Sequence, residues 1–280
     1  MNIKGTLIAI GGNEDKGTGR KPLHVQDTAH DFVTSGILFR VVSEIKDPKA
    51  PIEIVTTASS IPEQVGPRYV RSFRKLGHKS VNVLTIKTRE EADDPEVLAR
   101  VEQAGCILFS GGDQFKLTSV FHETAFAELI HKRYINEPLV IAGTSAGAMA
   151  MTDLMLYPGA DSASGMNPNV PLYGGLCLIH DAIIDTHFLV RGRFRRLAIA
   201  VCKYPSHIGI GLEEDTGIIV RRGNEIEAIG SGLVTIIDGR TLQEANPTVA
   251  RGKHDIFVEN LLVHLLHHGN SFRLKNMKLS

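Results

Sequence analysis

The sequence predicts an α/β protein with a mainly parallel sheet and a small antiparallel extension toward its C-terminal end. Short apolar runs rich in β-branched residues, such as 7–10 and 139–142, alternate with segments of helical pattern such as 114–131. Strands that are apolar along their whole length are typical of a parallel sheet covered by helices on both faces. From about residue 217 the pattern changes to short strands separated by turn signals, which indicates the antiparallel extension.

Each element is predicted from its own apolar run or helical period. The strands of the main sheet are expected at 7–10, 52–57, 81–86, 106–109, 139–142, 178–185 and 208–212. The helices between them are expected at 61–76, 94–103, 114–131 and 191–201, and the extension strands at 218–221, 225–229 and 234–237. No repeat or linker interrupts the pattern. We therefore predict one domain over 1–280, in which 217–280 forms the sheet extension and C-terminal tail.

Composition and charge narrow the class of protein. Lys and Arg together number 31 and so do Asp and Glu, so no global charge favours nucleic acid or an anionic membrane. The three cysteines are well separated and form no CxxC motif, which indicates buried thiols in a reducing compartment. The sequence contains neither a signal-peptide pattern nor an apolar run of transmembrane length. We expect a cytoplasmic protein that binds neither nucleic acid nor membrane.

One motif points to nucleophilic catalysis. The apolar run that ends at Ala142 is followed by Gly143-Thr144-Ser145-Ala146-Gly147 and then by helix-compatible residues. Gly-x-Ser-x-Gly between a strand and a helix is the pattern of a nucleophile elbow, a tight turn that exposes the serine hydroxyl. The first N–H groups of the helix would lie where an oxyanion develops. The alternative interpretation is an ordinary loop.

His187 is the best-placed base for Ser145 among the twelve histidines. It lies just past the predicted strand end and precedes a cluster of arginines. An imidazole of near-neutral pKa can take the serine proton and return it to a leaving amine. A carboxylate must then fix its tautomer. The spacing does not choose among the three acids that follow strand 208–212, which are Glu213, Glu214 and Asp215.

The order serine, histidine, acid differs from that of α/β-hydrolases, in which the acid precedes the histidine. The acids that would preserve that other order lie between Ser145 and His187, and they are Asp153, Asp161, Asp181 and Asp185. They are a weaker alternative.

Two further clusters fall at predicted strand ends. Gly111-Gly112 would let the backbone approach a reacting carbonyl, so an N–H there and that of Ala146 are candidates for an oxyanion hole; a plain turn is the alternative. The second cluster consists of four arginines, Arg191, Arg193, Arg195 and Arg196. One interpretation is a solvated helix face or a phosphate-binding patch. The other is a set of guanidinium groups that bind the carboxylates of a substrate.

Five stretches in the same order resemble the serine peptidase family that contains the cyanophycinases and aspartyl dipeptidase (dipeptidase E). They are 8–12, 109–114, 143–148, 185–188 with 191–193 and 196–197, and 209–216. The C-terminal stretches 263–266 and 269–274 also resemble the cyanophycinase tail, so the resemblance covers essentially the whole chain. Each glycine motif is weak alone, but five in the right order are specific.

The resemblance implies a three-layer α/β/α fold of the class I glutamine-amidotransferase (flavodoxin-like) type, with serine where the amidotransferases carry cysteine. It assigns Ser145 as nucleophile, His187 as base and Glu214 as the acid. It also implies a homodimer that needs no metal or cofactor. The implied substrate-pocket residues are Gln114, Asp185, Thr186, Arg191, Arg193 and Arg196. At Thr186 many cyanophycinases carry glutamine, and the shorter hydroxyl is expected to alter dipeptide specificity.

The activity implied by the resemblance is release of β-Asp-Arg dipeptides from cyanophycin, an arginyl poly-aspartate, through an acyl-enzyme. The arginines would meet carboxylates of the terminal dipeptide, and Asp185 would meet the substrate guanidinium. The alternatives are a cytosolic aspartyl dipeptidase acting on small Asp-X or isoaspartyl peptides, and a catalytically silent binding protein. A metal enzyme based on His264 and His268 is weaker, since only Glu259 nearby offers a carboxylate, and we interpret both histidines as surface residues.

Overall fold

A computed structural model of the chain describes residues 3–18, 31–157, 170–240 and 260–273. These residues form a mixed α/β protein with a large central sheet. The strands are β1 (Thr6–Ile10), β2 (Ile52–Val55), β3 (Val81–Leu84), β4 (Cys106–Phe109), β5 (Val140–Thr144), β6 (Leu154–Leu156), β7 (Leu172–Gly174), β8 (Ala182–Thr186), β9 (Ile208–Leu212), β10 (Thr216–Arg221), β11 (Glu225–Gly230), β12 (Val234–Asp238), β13 (Leu262–Leu266) and β14 (Ser271–Arg273). The helices are α1 (Ile37–Glu44), α2 (Pro62–Lys75), α3 (Arg89–Ala92), α4 (Pro95–Gln103), α5 (Gln114–Phe121), α6 (Ala125–Asn136), α7 (Ala146–Met149) and α8 (Phe194–Lys203).

The central sheet has the strand order β14-β11-β10-β1-β5-β4-β2-β3. Its five strands β1, β5, β4, β2 and β3 are parallel to their neighbours, as their apolar sequences predict. On the other side of β1 the strands β10, β11 and β14 continue the sheet in antiparallel pairing. The extension strands predicted at 218–221 and 225–229 are therefore confirmed as β10 and β11, whereas the third, predicted at 234–237, is β12 of another sheet.

Neither a second, four-stranded sheet nor the antiparallel pair of β6 and β7 was predicted. Strands β8 and β9 were expected in the main sheet, but they pair parallel to each other in a four-stranded sheet of order β13-β12-β9-β8. Strands β12 and β13 complete that sheet in antiparallel pairing. Sheet membership depends on which distant strands exchange backbone hydrogen bonds, and apolar runs carry no information about that choice.

The helix predicted at 114–131 is two helices. The break lies at Glu123, whose φ is +55°, and Thr124 then starts α6 by accepting a hydrogen bond from the Ala127 N–H. A left-handed residue followed by a Thr N-cap ends one helix and begins the next. The other predicted helices match α2, α4 and α8 to within a few residues.

Helices pack on both faces of the central sheet. Along β1 the side chains alternate, with Leu7 in one buried apolar cluster and Ile8 in the other. The Ile8 side is covered by α1 and α2, through residues such as Phe73. The Leu7 side is covered by α4, α6 and α7 and includes Ile210 of the second sheet. One core therefore joins the two sheets.

The two sheets meet where β1 ends. The Gly11 oxygen accepts a hydrogen bond from the His187 N–H at 3.0 Å, and the Gly12 oxygen accepts one from the Asp215 N–H at 2.9 Å. The Ser145 N–H donates to Ile10 at 2.9 Å. The carboxyl ends of β1, β5, β8 and β9 thus converge, at the edge where open α/β sheets carry their sites. Among the described helices, none has the length and apolarity needed to cross a membrane.

Candidate active site

Ser145 lies in the sharp turn between β5 and α7. Its backbone has φ 52° and ψ −112°, a conformation that side chains rarely adopt. A side chain at Gly143 would lie 2.5 Å from the Gly147 backbone, and one at Gly147 would lie 2.3 Å from the Phe109 oxygen. The two glycines of Gly-x-Ser-x-Gly are therefore required by the close contact of strand and helix, which holds the serine in its strained turn.

The imidazole of His187 contacts the serine. Its Nε2 lies 3.0 Å from Ser145 Oγ, within hydrogen-bond reach. His187 itself has φ +50° directly after β8. A side chain at Gly12 would lie 2.5 Å from the imidazole Cε1, so only glycine leaves room for this ring. The glycine pair after β1 therefore has a packing role beside the base.

Of the three acids that follow β9, Glu214 contacts the imidazole. Its Oε1 lies 2.7 Å from His187 Nδ1 and also accepts a hydrogen bond from Asn13 Nδ2 at 2.6 Å. Asp215 accepts hydrogen bonds from Ser231 and from the Asp15 N–H instead. Both nitrogens of the imidazole are therefore engaged, one by the serine and one by the carboxylate, as a proton relay requires.

Four acids lie between Ser145 and His187, and those that the structure describes do not contact the imidazole. Asp153 is bonded to His207, with 3.3 Å between Oδ2 and Nε2, and Asp185 is bonded to two arginines. Asp161 lies outside the described residues.

Burial and charge favour a neutral base and an ionised acid. Burial lowers the pKa of His187, and the positive charges of Arg191 and Arg193 lower it further against the opposing effect of Glu214. Burial raises the pKa of Glu214, but hydrogen bonds from Asn13 and His187 outweigh it and the net pKa is lowered. At neutral pH the imidazole can accept a proton and the carboxylate can stabilise the imidazolium.

Two backbone amides are available beside the serine. Gly112 has φ +146°, and a side chain there would lie 2.0 Å from the Ala58 oxygen, so this turn requires glycine. A Cβ at Gly111 would lie 3.2 Å from the Ser145 Cβ. Ala146 begins α7, and within the described part of the chain no acceptor is paired with its N–H or with that of Gly112. Such amides can stabilise an oxyanion.

Two residues of the expected pocket have internal partners. Gln114 is buried at the start of α5 and donates through Nε2 to the Leu156 oxygen at 2.9 Å. Thr186 is fully buried, and its hydroxyl lies 3.4 Å from the sulfur of Met149. Arg191, in contrast, is exposed on the turn after His187.

Asp185, Arg193 and Arg196, which the resemblance places in the substrate pocket, pair with one another. Asp185 is fully buried and its oxygens bind Arg196 through Nε at 2.5 Å and through Nη2 in a short contact. Arg193 Nη1 lies 3.2 Å from the same carboxylate and donates to the Thr186 oxygen at 2.7 Å. The carboxylate expected to meet a substrate guanidinium is thus occupied by the two arginines expected to meet substrate carboxylates. Buried charges are stable only when paired, which is the physical reason for this arrangement.

Sequence reasoning missed a buried network next to the serine. Glu14 is almost fully buried, accepts a hydrogen bond from Thr144 at 2.7 Å, forms an ion pair with Lys16 at 3.0 Å and contacts the Tyr69 hydroxyl. It anchors the residue that precedes Ser145. The signal available was the polar stretch that directly follows Gly11-Gly12 at the end of β1.

One group of described side chains has metal-ligand chemistry. The ligand atoms of Asp153, Asp181 and His207 lie within 4.8 Å of one another, at the amino ends of β8 and β9. This end of the strands is opposite to the one that carries His187 and Glu214. The hydrogen bond between Asp153 and His207 accounts for the closeness of these side chains.

Together, the fold and the site define a class of protein. A serine hydroxyl bonded to a histidine that is bonded to a carboxylate, at the carboxyl edge of an α/β sheet, is the arrangement of a serine hydrolase.

Comparison with known proteins identifies the family. The model of peptidase family S51 matches residues 25–229. The cyanophycinase of Trichormus variabilis is 35% identical over 274 residues, which cover 97% of this chain and 86% of that protein. The cyanophycinase of Geminocystis herdmanii is 33% identical over 276 residues, which cover 98% and 95%. The chain belongs to peptidase family S51, and it is a peptidase.

Solved structures share the fold at low sequence identity. A peptidase from an acI-B1 Actinobacterium has a TM-score of 0.67 and 21% identity, with 98% of both chains covered. A putative peptidase E from Listeria monocytogenes has a TM-score of 0.51 and 18% identity, with 80% of this chain and 98% of that chain covered. These two matches support the fold alone.

Proposed function

We propose that this chain is a serine exopeptidase that releases β-Asp-Arg dipeptides from cyanophycin. The observation that carries the proposal is the hydrogen-bonded array of Ser145, His187 and Glu214, with 3.0 Å and 2.7 Å between successive partners. Its substrate is supported by similarity to cyanophycinases over nearly the full length of the chain.

The reaction runs through an acyl-enzyme. His187 Nε2 takes the proton of Ser145 as Oγ attacks the scissile carbonyl, and the same nitrogen then protonates the leaving amine. Glu214 holds the imidazole through Nδ1 and stabilises the imidazolium. The N–H groups of Gly112 and Ala146 bind the oxyanion, and one such donor contributes about 3–4 kcal/mol to transition-state stabilisation. Water, activated by His187, then releases the acyl group.

The substrate carboxylates meet Arg191 in this proposal. Arg191 is exposed and lies in the turn after the base, where its N–H donates to the His187 oxygen at 3.1 Å. A guanidinium fork is suited to a carboxylate of the terminal dipeptide. Gln114 and Thr186 form the floor of the pocket, and Asp185, paired with Arg193 and Arg196, supports the loop that carries His187.

We further propose that the chain forms one domain over 1–280, of the three-layer class I glutamine-amidotransferase-like type, and acts as a cytoplasmic homodimer without metal or cofactor. Helices on both faces of the central sheet and a core shared by both sheets are consistent with the domain assignment. The free thiols Cys106, Cys177 and Cys202 are consistent with a reducing compartment. Light scattering of the purified protein measures its oligomeric state.

The first test is product analysis. Purified protein is incubated with cyanophycin and, separately, with Asp-X dipeptides, and the products are identified by mass spectrometry. We expect Asp-Arg dipeptide from the polymer. The Ser145→Ala variant should keep its melting temperature and lose activity by a factor on the order of 10³–10⁶. Inert polymer with cleaved dipeptides would contradict the proposed substrate, and activity near wild type in Ser145→Ala would contradict the nucleophile.

A further inference from the structure

Three aromatic side chains form a cluster near the candidate active site. The ring centroids of Phe115 and Tyr173 are 4.6 Å apart, those of Phe115 and Tyr157 are 5.2 Å apart, and those of Tyr157 and Tyr173 are 5.4 Å apart. Phe115, Tyr157 and Tyr173 thus form an aromatic cluster. All three distances lie in the range in which aromatic rings pack favourably, so the cluster holds its own shape.

The aromatic cluster lies on the same side of the molecule as Ser145. Phe115 is in the first turn of α5, and Gly111, four residues earlier, packs against Ser145. Four residues span at most about 14 Å, which limits how far Phe115 can be from the serine. Gln114 ties the start of α5 to β6 through its hydrogen bond to the Leu156 oxygen, and Tyr157 follows directly. The rings are therefore fixed by elements that also shape the candidate pocket.

The two tyrosines expose much of their surface. Tyr157 is 41% and Tyr173 is 42% exposed, whereas aromatic rings of the core such as Phe109 and Phe121 are fully buried. A packed set of rings that keeps this much accessible surface offers aromatic surface for a ligand to contact. Aromatic faces attract guanidinium and ammonium groups through their quadrupole.

Asp185, the residue expected to meet the substrate guanidinium, already has two arginine partners. Asp185 is fully buried and already bound to Arg193 and Arg196. Inserting a third guanidinium there would require either breaking a buried ion pair or placing three cations around one carboxylate. A cationic substrate side chain must therefore find its partner elsewhere near the serine.

We propose that the aromatic cluster is a subsite for the cationic side chain of the substrate, whose guanidinium stacks on the exposed rings of Tyr157 and Tyr173. This inference rests on the proposed function, since it requires a substrate that carries arginine on its β-carboxyl. The subsite recognises charge on a flat group, so a neutral side chain of the same shape gains little from it. Phe115 backs the two tyrosines and keeps their faces toward the ligand.

The test compares two synthetic substrates that differ only in that charge. One is an oligomer of β-Asp-Arg, and the other is the same oligomer with citrulline, in which an uncharged urea replaces the guanidinium. kcat/KM is measured for both with wild type, Tyr157→Ala and Tyr173→Ala. We expect wild type to prefer the arginine oligomer, and each alanine variant to lose roughly two- to thirty-fold in kcat/KM on it, with little change on the citrulline oligomer.

Two controls separate stacking from a structural effect. Tyr157→Phe and Tyr173→Phe keep the ring and should keep most of the preference for arginine over citrulline. Tyr204→Ala removes a tyrosine near the amino end of β9, beside His207, and should not change the ratio. An equal loss on both oligomers, or an unchanged ratio in both alanine variants, would overturn the subsite.

Failure of the proposed function has a different signature. In that case wild type releases no dipeptide from either oligomer while it cleaves Asp-X dipeptides, and the subsite falls with it. Cleavage of both oligomers with a ratio that the tyrosines do not influence contradicts the subsite alone.

Discussion

The imidazole of His187 is subject to opposing influences from the residues around it. Burial and the charge of Arg191 lower its pKa, whereas the hydrogen bond to Glu214 raises it. The net pKa lies below the ordinary value of 6.5. A base must be neutral to accept a proton, so activity should rise with pH through this lowered pKa and then level off.

Removing the positive charge beside the base should move that pH dependence. In Arg191→Gln the pKa of His187 rises, so the acidic limb of the kcat/KM profile should move to higher pH. Arg195→Gln, which alters an exposed arginine four residues further on, serves as the matched control and should leave the limb in place. The profiles are recorded between about pH 4 and 8 with the β-Asp-Arg oligomer, whose guanidinium keeps its charge over this whole range. A limb that stays in place in Arg191→Gln would show that this guanidinium does not act on His187.

At the scale of elements, the pairing of Asp185 with Arg193 and Arg196 connects β8 to α8 and its N-terminal turn. The three side chains are each less than one-tenth exposed. The resemblance places both arginines against substrate carboxylates. Because both bind the buried carboxylate of Asp185, we expect loss of Arg196 to affect the stability of the fold.

Arg196→Ala should therefore destabilise the fold. Arg196 gives the Asp185 carboxylate two hydrogen bonds, through Nε and Nη2, and Arg193 gives it a further one. Hydrogen bonds to charged groups contribute about 1.5–3 kcal/mol, so we expect a loss of that size while Arg193 still pairs with the carboxylate. The free energy of unfolding is measured by urea denaturation. Arg195→Ala, at an exposed neighbouring position of the same helix, should change it by less than about 0.5 kcal/mol. Equal stability of the two variants would mean that the Asp185 contact contributes little to the folded state.

At the scale of the whole molecule, a single short loop after β1 joins the two sheets and the candidate site. Gly11 donates its N–H to the Thr216 oxygen at 2.7 Å and accepts from the His187 N–H at 3.0 Å. A side chain at Gly11 would lie 1.9 Å from the Glu213 oxygen, a backbone atom that cannot move aside alone. Strain at this position should thus reach both sheets.

Gly11→Ala should lower stability and activity together. The added methyl group pushes the turn after β9 away from β1, which separates Glu214 from His187 and loosens the second sheet. We expect a lower melting temperature, faster amide exchange in β8 and β9, and a loss of kcat. Gly174→Ala is the matched control, because a Cβ there meets no atom within 4 Å. Normal exchange in β8 and β9 of Gly11→Ala would contradict a mechanical link through this loop.

Elements with strong local signals could be predicted from the sequence. The parallel strands carry continuous apolar runs. The turn at Ser145 is marked by glycines at positions where any side chain would collide with neighbouring atoms. The second sheet could not be predicted, because the pairing of β9 with β12 joins segments more than twenty residues apart. The aromatic cluster could not be predicted either, because Phe115 and Tyr173 are far apart in the sequence and belong to no recognisable motif.

The sequence by itself determined the strand–turn–helix around Ser145 and the family of the chain. Glycine spacing and apolar periodicity determine local structure within a few residues, so they can be read from the sequence alone. Only the tertiary structure decided which of three adjacent acids contacts His187. It also decided that the Asp185 carboxylate pairs with Arg193 and Arg196. Hydrogen bonds and ion pairs depend on ångström distances between segments far apart in the chain. Those distances exist only after the two sheets have packed on one core.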